Sequence, residues 1–350
     1  VCPTTLCLPP TPEKKEKATM LAKLKNLFAP QEIAQSLKTL PPIESTIMTR
    51  YFKNRPAHPS PMIGITDLKA VIQTVPVVRR DGAPLPLIEE SIETQFFAPL
   101  PIKVQIPVTA SELNDLRVIM GNQAALSAWR QRKIEQIRQT VHNTTEGMCA
   151  TVLASGKLSW PVQLPGGRPG EYGLDYGEPL SYELATKLTG TTKLSEVYRL
   201  LEAMKKQISM AGLGGKVEFI CGSDVAAVFI DMAENWKSTA QNAPLSIRLG
   251  NGEVSVGAST ISFMDETYPS PISGEWVPKL DPKTLMAIAT DVPGTIWYCA
   301  IDSISANNSA VPLHIVPIQR DDDSGITLIG QTKPMPARPS RSVCKCIAVE

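Results

Sequence analysis

The sequence has 350 residues, of which 43% are hydrophobic, and it carries a formal net charge of +1. A chain of this length can bury a sizeable core. Its nearly balanced charge excludes a polycation that coats nucleic acid over its whole surface, so any nucleic-acid contact must be local. No uninterrupted apolar run approaches the roughly 20 residues that a membrane-spanning helix needs.

Residues 1–60 are predicted to form an arm that cannot close a core of its own and must lie on another surface. The arm begins rich in proline, continues as one or two short amphipathic helices broken at Pro30, and ends in the connectors "TLPPIE" and "NRPAHPSP". Proline and the residue before it disfavour helix there. The chain starts at Val1 and lacks the basic start and apolar core of a secretory signal. We therefore expect either proteolytic processing or an incomplete sequence.

Residues 61–110 are predicted to form a long β-ribbon. Two β-prone runs, 71–78 and 96–108, flank a charged turn in "VVRRDGAPLPLIEES". Prolines at 76, 84, 86, 99, 101 and 107 suit edge strands and not the middle of a sheet. Because a two-stranded ribbon is marginally stable alone in water, we expect it to rest on another chain. The candidate inter-subunit contacts are the charged turn residues Arg79, Arg80 and Asp81; the alternative is a solvated tip whose charges prevent aggregation.

A long helix is predicted over residues 124–155. Apolar residues recur there at spacings of three, four and seven, which indicates one buried stripe; they are Ile134, Ile137, Val141, Met148 and Val152. The helix would span about 45 Å. Its first half carries a candidate basic face, formed by Arg130, Arg132, Lys133 and Arg138. A face for nucleic acid or an acidic partner and a merely solvated face both remain open.

An alternation of helices and strands follows a stretch predicted to be rich in loops (156–190). Residues 194–212 form a strongly amphipathic helix, "KVEFICG" is a buried strand, and Ser223 is expected to cap the next helix. Asn251-Gly252 predicts a hairpin turn. Further strands are expected in 281–302, 312–331 and "SVCKCIAV".

The cysteines and histidines do not form a recognisable metal or catalytic set. The seven cysteines are scattered, and Cys344-Lys345-Cys346 has the wrong spacing for a zinc knuckle. We expect buried, reduced thiols and no metal or cofactor. None of the three histidines, His58, His142 and His314, has a carboxylate or thiol at a recognisable catalytic spacing.

The glycine and aspartate clusters are also interpreted as structural. In "AGLGGKVEF" (211–219) the glycines follow a helix and precede a strand, the reverse of a dinucleotide-binding fingerprint, so Gly212 is predicted to end the helix. "PGGRPGEYG" (165–173) is predicted to be a loop. "RDDDSG" (320–325) lacks the distal glutamate of a calcium loop and is predicted to be a hairpin turn.

In the order of its elements the sequence resembles the major capsid proteins of tailed phages, and among them the lambda-like major capsid E family. The resemblance covers nearly the whole chain after about residue 40. It rests on "IESTIMTRYFKN", the ribbon through "ASELNDL", "VEFICGSDVAAVF", "TLMAIATDVPG" and "PMPARPSRSVCKCIAV". It implies an α+β Hong Kong 97-type fold. The implied parts are an N-terminal arm (1–60), an extended loop (61–110), a peripheral domain (111–189) with the spine helix 124–155, an axial domain (190–310) and the closing strands of the peripheral domain (311–350).

The resemblance also implies a function. The chain would self-assemble as pentamers and hexamers into the icosahedral head that encloses double-stranded phage DNA, and would reside in the virion capsid after assembly in the host cytoplasm. Its implied partners are further copies of itself, a scaffolding protein, a maturation protease, the portal, a possible decoration protein and the packaged DNA, with no membrane. Some relatives form a lysine–asparagine cross-link in the ribbon, but Lys69 and Lys103 lie away from its tip, so we expect no covalent bond. The alternatives are a phage tail or head–tail adaptor protein and an α/β enzyme.

Overall fold

The computed structural model describes residues 26–64, 96–109, 112, 115, 123–163, 168–236, 245–320 and 325–350. These residues divide into two compact units. The first unit comprises the described residues within 1–43, 101–142 and 301–333, and the second comprises those within 44–100, 143–300 and 334–350. No helix in the described ranges is long and apolar enough to cross a membrane.

Helices and strands are mixed up to Asn235, and strands dominate the described residues after it. The helices with defined bounds are α1 (Pro30–Thr39), α2 (Ile47–Tyr51), α3 (Gln123–Ser155), α4 (Leu194–Met210) and α5 (Ser223–Asn235). Short 3₁₀ turns lie at Ile304–Ala306 and Ser340–Ser342. The strands are β1 (Ala57–His58), β2 (Ile63–Gly64), β3 (Phe96–Phe97), β4 (Ile102–Thr109), β5 (Lys157–Gln163), β6 (Pro169–Asp175), β7 (Leu180–Ser181), β8 (Val217–Cys221), β9 (Ile247–Gly250), β10 (Glu253–Val256), β11 (Ser259–Phe263), β12 (Thr267–Pro269), β13 (Trp276–Pro278), β14 (Thr284–Ala289), β15 (Thr295–Cys299), β16 (His314–Gln319), β17 (Gly325–Thr332), β18 (Pro334–Ala337) and β19 (Val343–Ile347).

The first unit is a three-stranded antiparallel sheet in the order β16-β17-β4, packed against the N-terminal part of α3 and against α1. Ile134 and Ile137 of α3 are buried against Ile326 and Leu328 of β17. A Cβ atom at Gly330 would stand 2.2 Å from Cγ2 of Ile137, so glycine allows the helix to approach the sheet. The predicted stripe of α3 is confirmed, since all five of its apolar residues are buried.

The described part of the predicted arm also packs in this unit. Phe28 is fully buried and meets Trp129 of α3 edge to face, with ring centroids 5.7 Å apart. Helix α1 begins at Pro30, at the predicted break. Residues 28–40 therefore pack on an apolar surface of their own chain. The sequence pattern did not indicate this surface.

The second unit contains a mixed seven-stranded sheet in the order β7-β19-β14-β8-β11-β10-β9. Helices α4 and α5 share one apolar cluster with residues such as Phe219, Leu285 and Cys344. Because neighbouring residues of a strand point to opposite faces, these residues define the face of the sheet that the two helices cover. Smaller sheets in the unit are β1-β15-β18, β2-β3, β5-β6 and β12-β13.

Two local predictions in this unit are confirmed in detail. Helix α4 ends at a Schellman motif, with Gly212 at φ +80°, and the Leu213 N–H donates to the Ile208 carbonyl at 3.2 Å. The hairpin of β9 and β10 turns at Asn251-Gly252, where Gly252 has φ +71°.

Two other predictions are wrong. Ser223 does not cap α5 with its side chain; the N–H groups of Asp224 and Val225 donate to the Pro282 carbonyl at 3.1 and 3.3 Å. "PGGRPGEYG" is not all loop, because its residues 169–173 belong to β6, which pairs antiparallel with β5. A two-stranded sheet has only edge strands, so it tolerates the proline and glycines that suggested a loop.

The second β-prone run of the predicted ribbon, 96–108, contributes strands to two different sheets. The closing segment, 311–350, contributes strands to three. Residues 96–97 pair with β2, whereas β4 pairs with β17 as an edge strand of the first unit. The segment 311–350 contributes β16 and β17 to that same sheet, β18 to the sheet of β15, and β19 to the seven-stranded sheet. Residues 311–350 thus contribute strands to three sheets, with β19 beside β14 and β17 beside β4.

Candidate assembly surfaces

The residues that flank 65–95 on either side pair with each other in the second unit. Strands β2 and β3 pair antiparallel, with Ile63 opposite Phe97 and Gly64 opposite Phe96. Ile63 is fully buried and Phe97 lies 5.4 Å from the ring of Tyr172, whereas Phe96 is 66% exposed. The pair of β2 and β3 is therefore held in the unit through Ile63 and Phe97, and it exposes the ring of Phe96. Arg79, Arg80 and Asp81 lie outside the described residues.

The basic face predicted on α3 is largely engaged in ion pairs of the first unit. Arg130 pairs with Glu32 of α1 at 2.5 Å, Lys133 with Glu112 at 2.7 Å, and Arg138 with Glu135 at 2.8 Å. The side chains of these three cations are only 13–17% exposed. Arg132, the fourth residue, is exposed. The structure thus brings three of the four predicted cations to carboxylates, which reduces the free positive charge of the face.

A buried ion cluster joins α3 to α2 within the second unit. The Glu146 carboxylate accepts hydrogen bonds from the backbone N–H groups of Ile47 (2.9 Å) and Met48 (2.7 Å) and from Nζ of Lys279 (2.9 Å). Lys279 also contacts Glu266, which accepts the Thr46 hydroxyl at 2.6 Å. Glu146 therefore satisfies the first free N–H groups of α2 and a buried cation together.

Lys279 keeps its positive charge at neutral pH. Burial would lower the pKa of Lys279, but the hydrogen bonds to Glu266 and Glu146 outweigh it, and the pKa is raised. A buried ion pair contributes little net stability compared with an apolar packing, yet removal of one partner leaves an uncompensated charge. The sequence signal was the single glutamate directly before the mostly buried stretch "GMCATVL" of the helix, and the prediction missed it.

A hairpin extends from this cluster. Glu266 precedes β12 and Lys279 follows β13, and Tyr268 of β12 stacks on Trp160 with ring centroids 5.9 Å apart. At the other end of the hairpin, Ile272 is 66% and Trp276 70% exposed. A rigidly held, exposed tryptophan is typical of a residue that carries binding energy at a protein interface.

Arg338 fixes the packing of three segments of the second unit. It is buried and donates to the carbonyls of Tyr51 (2.9 Å) and Ala289 (2.6 Å) and to the hydroxyl of Ser342 (2.9 Å). Burial lowers its pKa to about 10, so the guanidinium remains charged at neutral pH. No pattern in "PARPSRS" distinguishes this arginine from a solvent-exposed one.

The remaining candidate groups are structural where the structure describes them. Five cysteines are free and buried, and burial raises the pKa of Cys221 and Cys344 to about 12. His58 contacts the Met62 carbonyl at 2.9 Å, and His314 contacts the Ser305 hydroxyl at 3.0 Å. Within the described residues, no three His, Cys, Asp or Glu side chains are grouped as metal ligands.

Solved structures with a similar fold are capsid proteins. The capsid protein of a prophage of Escherichia coli CFT073 has a TM-score of 0.59 and 14% identity, covering 91% of this chain and 98% of that chain. The satellite phage P4 procapsid (TM-score 0.44, 10% identity, 99% and 93% coverage) and the mature capsid of bacteriophage PhiM1 (TM-score 0.43, 10% identity, 88% and 90% coverage) are more distant. A sequence search among curated proteins found no significant match.

The α+β architecture and its likeness to the prophage protein define a protein with the Hong Kong 97-type fold. The chain belongs to the family of phage major capsid protein E, whose sequence profile matches residues 29–345. The protein is accordingly a major capsid protein of a phage head, and the family is one of structural proteins. The resemblance found in the sequence is confirmed.

Proposed function

We propose that the protein self-assembles as pentamers and hexamers into an icosahedral head that encloses double-stranded phage DNA. Membership of the major capsid protein E family over residues 29–345 carries this proposal. The exposed aromatic side chains of Phe96 and Trp276 support it, because a monomer gains nothing from exposing large apolar groups, whereas an assembling subunit buries them against its neighbours.

The parts of the chain take the roles that the family implies. Residues 1–60 act as the N-terminal arm, 61–110 as the extended loop, 111–189 with 311–350 as the peripheral domain, and 190–310 as the axial domain. Arg79, Arg80 and Asp81 contact carboxylates and cations of an adjacent subunit at the tip of the loop. Arg132, with the partly neutralised cations of α3, faces an acidic partner or the packaged DNA.

The assembly partners follow from the same role. A scaffolding protein and a maturation protease act while the shell forms in the host cytoplasm, and the portal and a possible decoration protein join the shell. The packaged DNA is bound without sequence preference, through local contacts to phosphates, because the net charge of the chain is only +1.

Expression of the chain with its scaffolding partner tests this function. Closed shells should appear by negative-stain electron microscopy and should sediment as megadalton particles. Single subunits, open tubes or isolated rings as the only products would contradict the proposal. A matched subunit with Ile272→Ser and Trp276→Ser should fold, by circular dichroism, and yield fewer shells.

A further inference from the structure

The second unit has an open groove of about 760 Å³ on the surface of α4 and the loop that follows it. Lys206 and Lys216 line the groove and are exposed, and neither has an ion-pair partner among the described residues. Ala203 and Val217 provide apolar surface between them. We name this surface, defined by Ala203, Lys206, Lys216 and Val217, the lysine groove.

The backbone of the lysine groove is held in place before any partner binds. Behind the Schellman motif of α4, Gly214 adopts φ +98° and the Gly215 N–H donates to a carboxylate oxygen of Asp291 at 2.8 Å. The Lys216 carbonyl accepts the Thr290 N–H at 2.8 Å. A preorganised site loses less conformational entropy when it binds.

The other charges of the groove largely compensate one another. Lys205 pairs with Glu202 at 2.9 Å and also contacts the Ser259 hydroxyl at 3.2 Å. Asp291 is engaged by the Gly215 N–H. The free charge presented to a partner therefore comes from Lys206 and Lys216.

Helix α5 of the same unit carries a surface of opposite character. Its sequence contains Asp224, Asp231 and Glu234 but no lysine, arginine or histidine. Ala227, Ile230, Asp231 and Glu234 follow the spacing i, i+3, i+4, i+7 and are all exposed. We name these four residues the acidic stripe. Neither Asp231 nor Glu234 has an ion-pair partner in the part of the chain that the structure describes.

We propose that the lysine groove of one subunit binds the acidic stripe of α5 of a second copy of the chain. The two surfaces complement each other in charge, with two free cations against two free carboxylates. Each also carries apolar residues, Ala203 and Val217 on one surface and Ala227 and Ile230 on the other. A contact between two different surfaces of identical chains is head-to-tail and generates a ring where the rotation between subunits closes. The proposal rests on the assembly role above and assigns one contact within a ring of subunits.

Nucleic acid is the less suitable occupant of the lysine groove. The apolar side chains of Ala203 and Val217 offer neither a hydrogen bond nor a positive charge to a phosphate backbone. The carboxylate of Glu202, which also lines the groove, repels phosphates. An isolated pair of lysines is also a small fraction of the phosphate contacts that a DNA-binding surface makes.

Charge reversal tests the contact. We expect Lys206→Glu with Lys216→Glu, and separately Asp231→Lys with Glu234→Lys, to lower the fraction of subunits in sedimenting particles at least tenfold. The combination of all four changes restores opposite charges and should return this fraction to within twofold of the wild type. Lys193→Glu with Lys283→Glu, at two exposed lysines outside both surfaces, is the matched control and should also stay within twofold. Circular dichroism and thermal melting establish that each variant folds.

The outcomes distinguish failure of the proposed contact from failure of the proposed assembly role. The contact would be overturned if the quadruple variant assembled no better than either double variant. It would also be overturned if either double variant assembled at normal yield. Shells of the Lys206→Glu and Lys216→Glu variant that form at normal yield but contain less DNA would assign the groove to nucleic acid. If the wild-type chain forms no shells, the assembly role fails, and the same variants are then compared for ring-sized oligomers by analytical ultracentrifugation. The contact would be overturned as well if the wild type formed none of these oligomers, or if the quadruple variant did not recover them.

Discussion

Glu146→Gln is expected to destabilise the second unit by about 3 kcal/mol. The substitution keeps the size of the side chain but removes the charge that compensates Lys279, and the side chains of Glu146 and Lys279 are only 4% and 8% exposed. Breaking a buried pair by removing one partner costs about 3–5 kcal/mol. We expect the lower value because Lys279 retains Glu266, which is 45% exposed.

Backbone hydrogen bonds contribute to the same loss. The carboxylate accepts from Ile47 N and Met48 N with different oxygens, and in glutamine one of these two positions is an NH2 group, which cannot accept. A destabilisation of about 3 kcal/mol corresponds to a fall in Tm of about 6–12 °C for a domain of 150–250 residues. Thermal unfolding followed by circular dichroism measures this fall.

Two further variants make the measurement specific. Glu178→Gln is the matched control, because Glu178 is 85% exposed and lies 4.0 Å from Lys157, and loss of such a surface pair costs less than about 1 kcal/mol. Lys279→Met combined with Glu146→Gln removes both charges, so the double variant should be destabilised less than the sum of the single variants. A Glu146→Gln protein that melts within 1 °C of the wild type, or single effects that simply add, would refute the role of the cluster.

Three other predictions concern the fold and the ribbon. Gly147→Ala should lower stability by about 1–3 kcal/mol, because the added Cβ would stand 2.5 Å from Cη2 of Trp160; an unchanged thermal melt would contradict this packing. Arg79→Glu with Arg80→Glu should leave the circular dichroism spectrum of the subunit unchanged and reduce shell yield; shells of normal yield and thermal stability would show that the tip is only solvated. The buried thiols should resist iodoacetamide at pH 8 in the native protein, since burial raises the pKa of Cys221 to about 12 and keeps it protonated; rapid native-state alkylation, or disulfide ladders on non-reducing gels of particles, would contradict this.

The sequence predicts those parts of the fold that local physics decides. The stripe of α4, the glycine stop at Gly212 and the Asn251-Gly252 turn each depend on residues within a few positions of one another. The burial of Cys221 also follows from the apolar strand that surrounds it.

Other features depend on residues far apart in the chain. Lys279 and Glu146 are 133 residues apart, so neither position indicates that the other compensates its charge. Ser223 looked like a helix cap, but the Pro282 carbonyl takes that role. The pairing of β4 with β17 likewise joins residues that are far apart in the chain.

The candidate contacts were predicted less completely than the fold. Charge clusters identified α3, yet the structure pairs three of its four cations with carboxylates. The exposed Trp276 and the lysine groove became visible only once the hairpin of β12 and β13 and the loop after α4 were placed, because exposure is a property of the folded surface.

A cryo-electron microscopy reconstruction of the assembled particle tests the central claim most directly. We predict a closed icosahedral shell of pentamers and hexamers, with residues 79–81 against a neighbouring subunit and the acidic stripe of α5 in the lysine groove of the next copy. A tube, an open ring or a particle in which neither surface contacts another subunit would contradict this account.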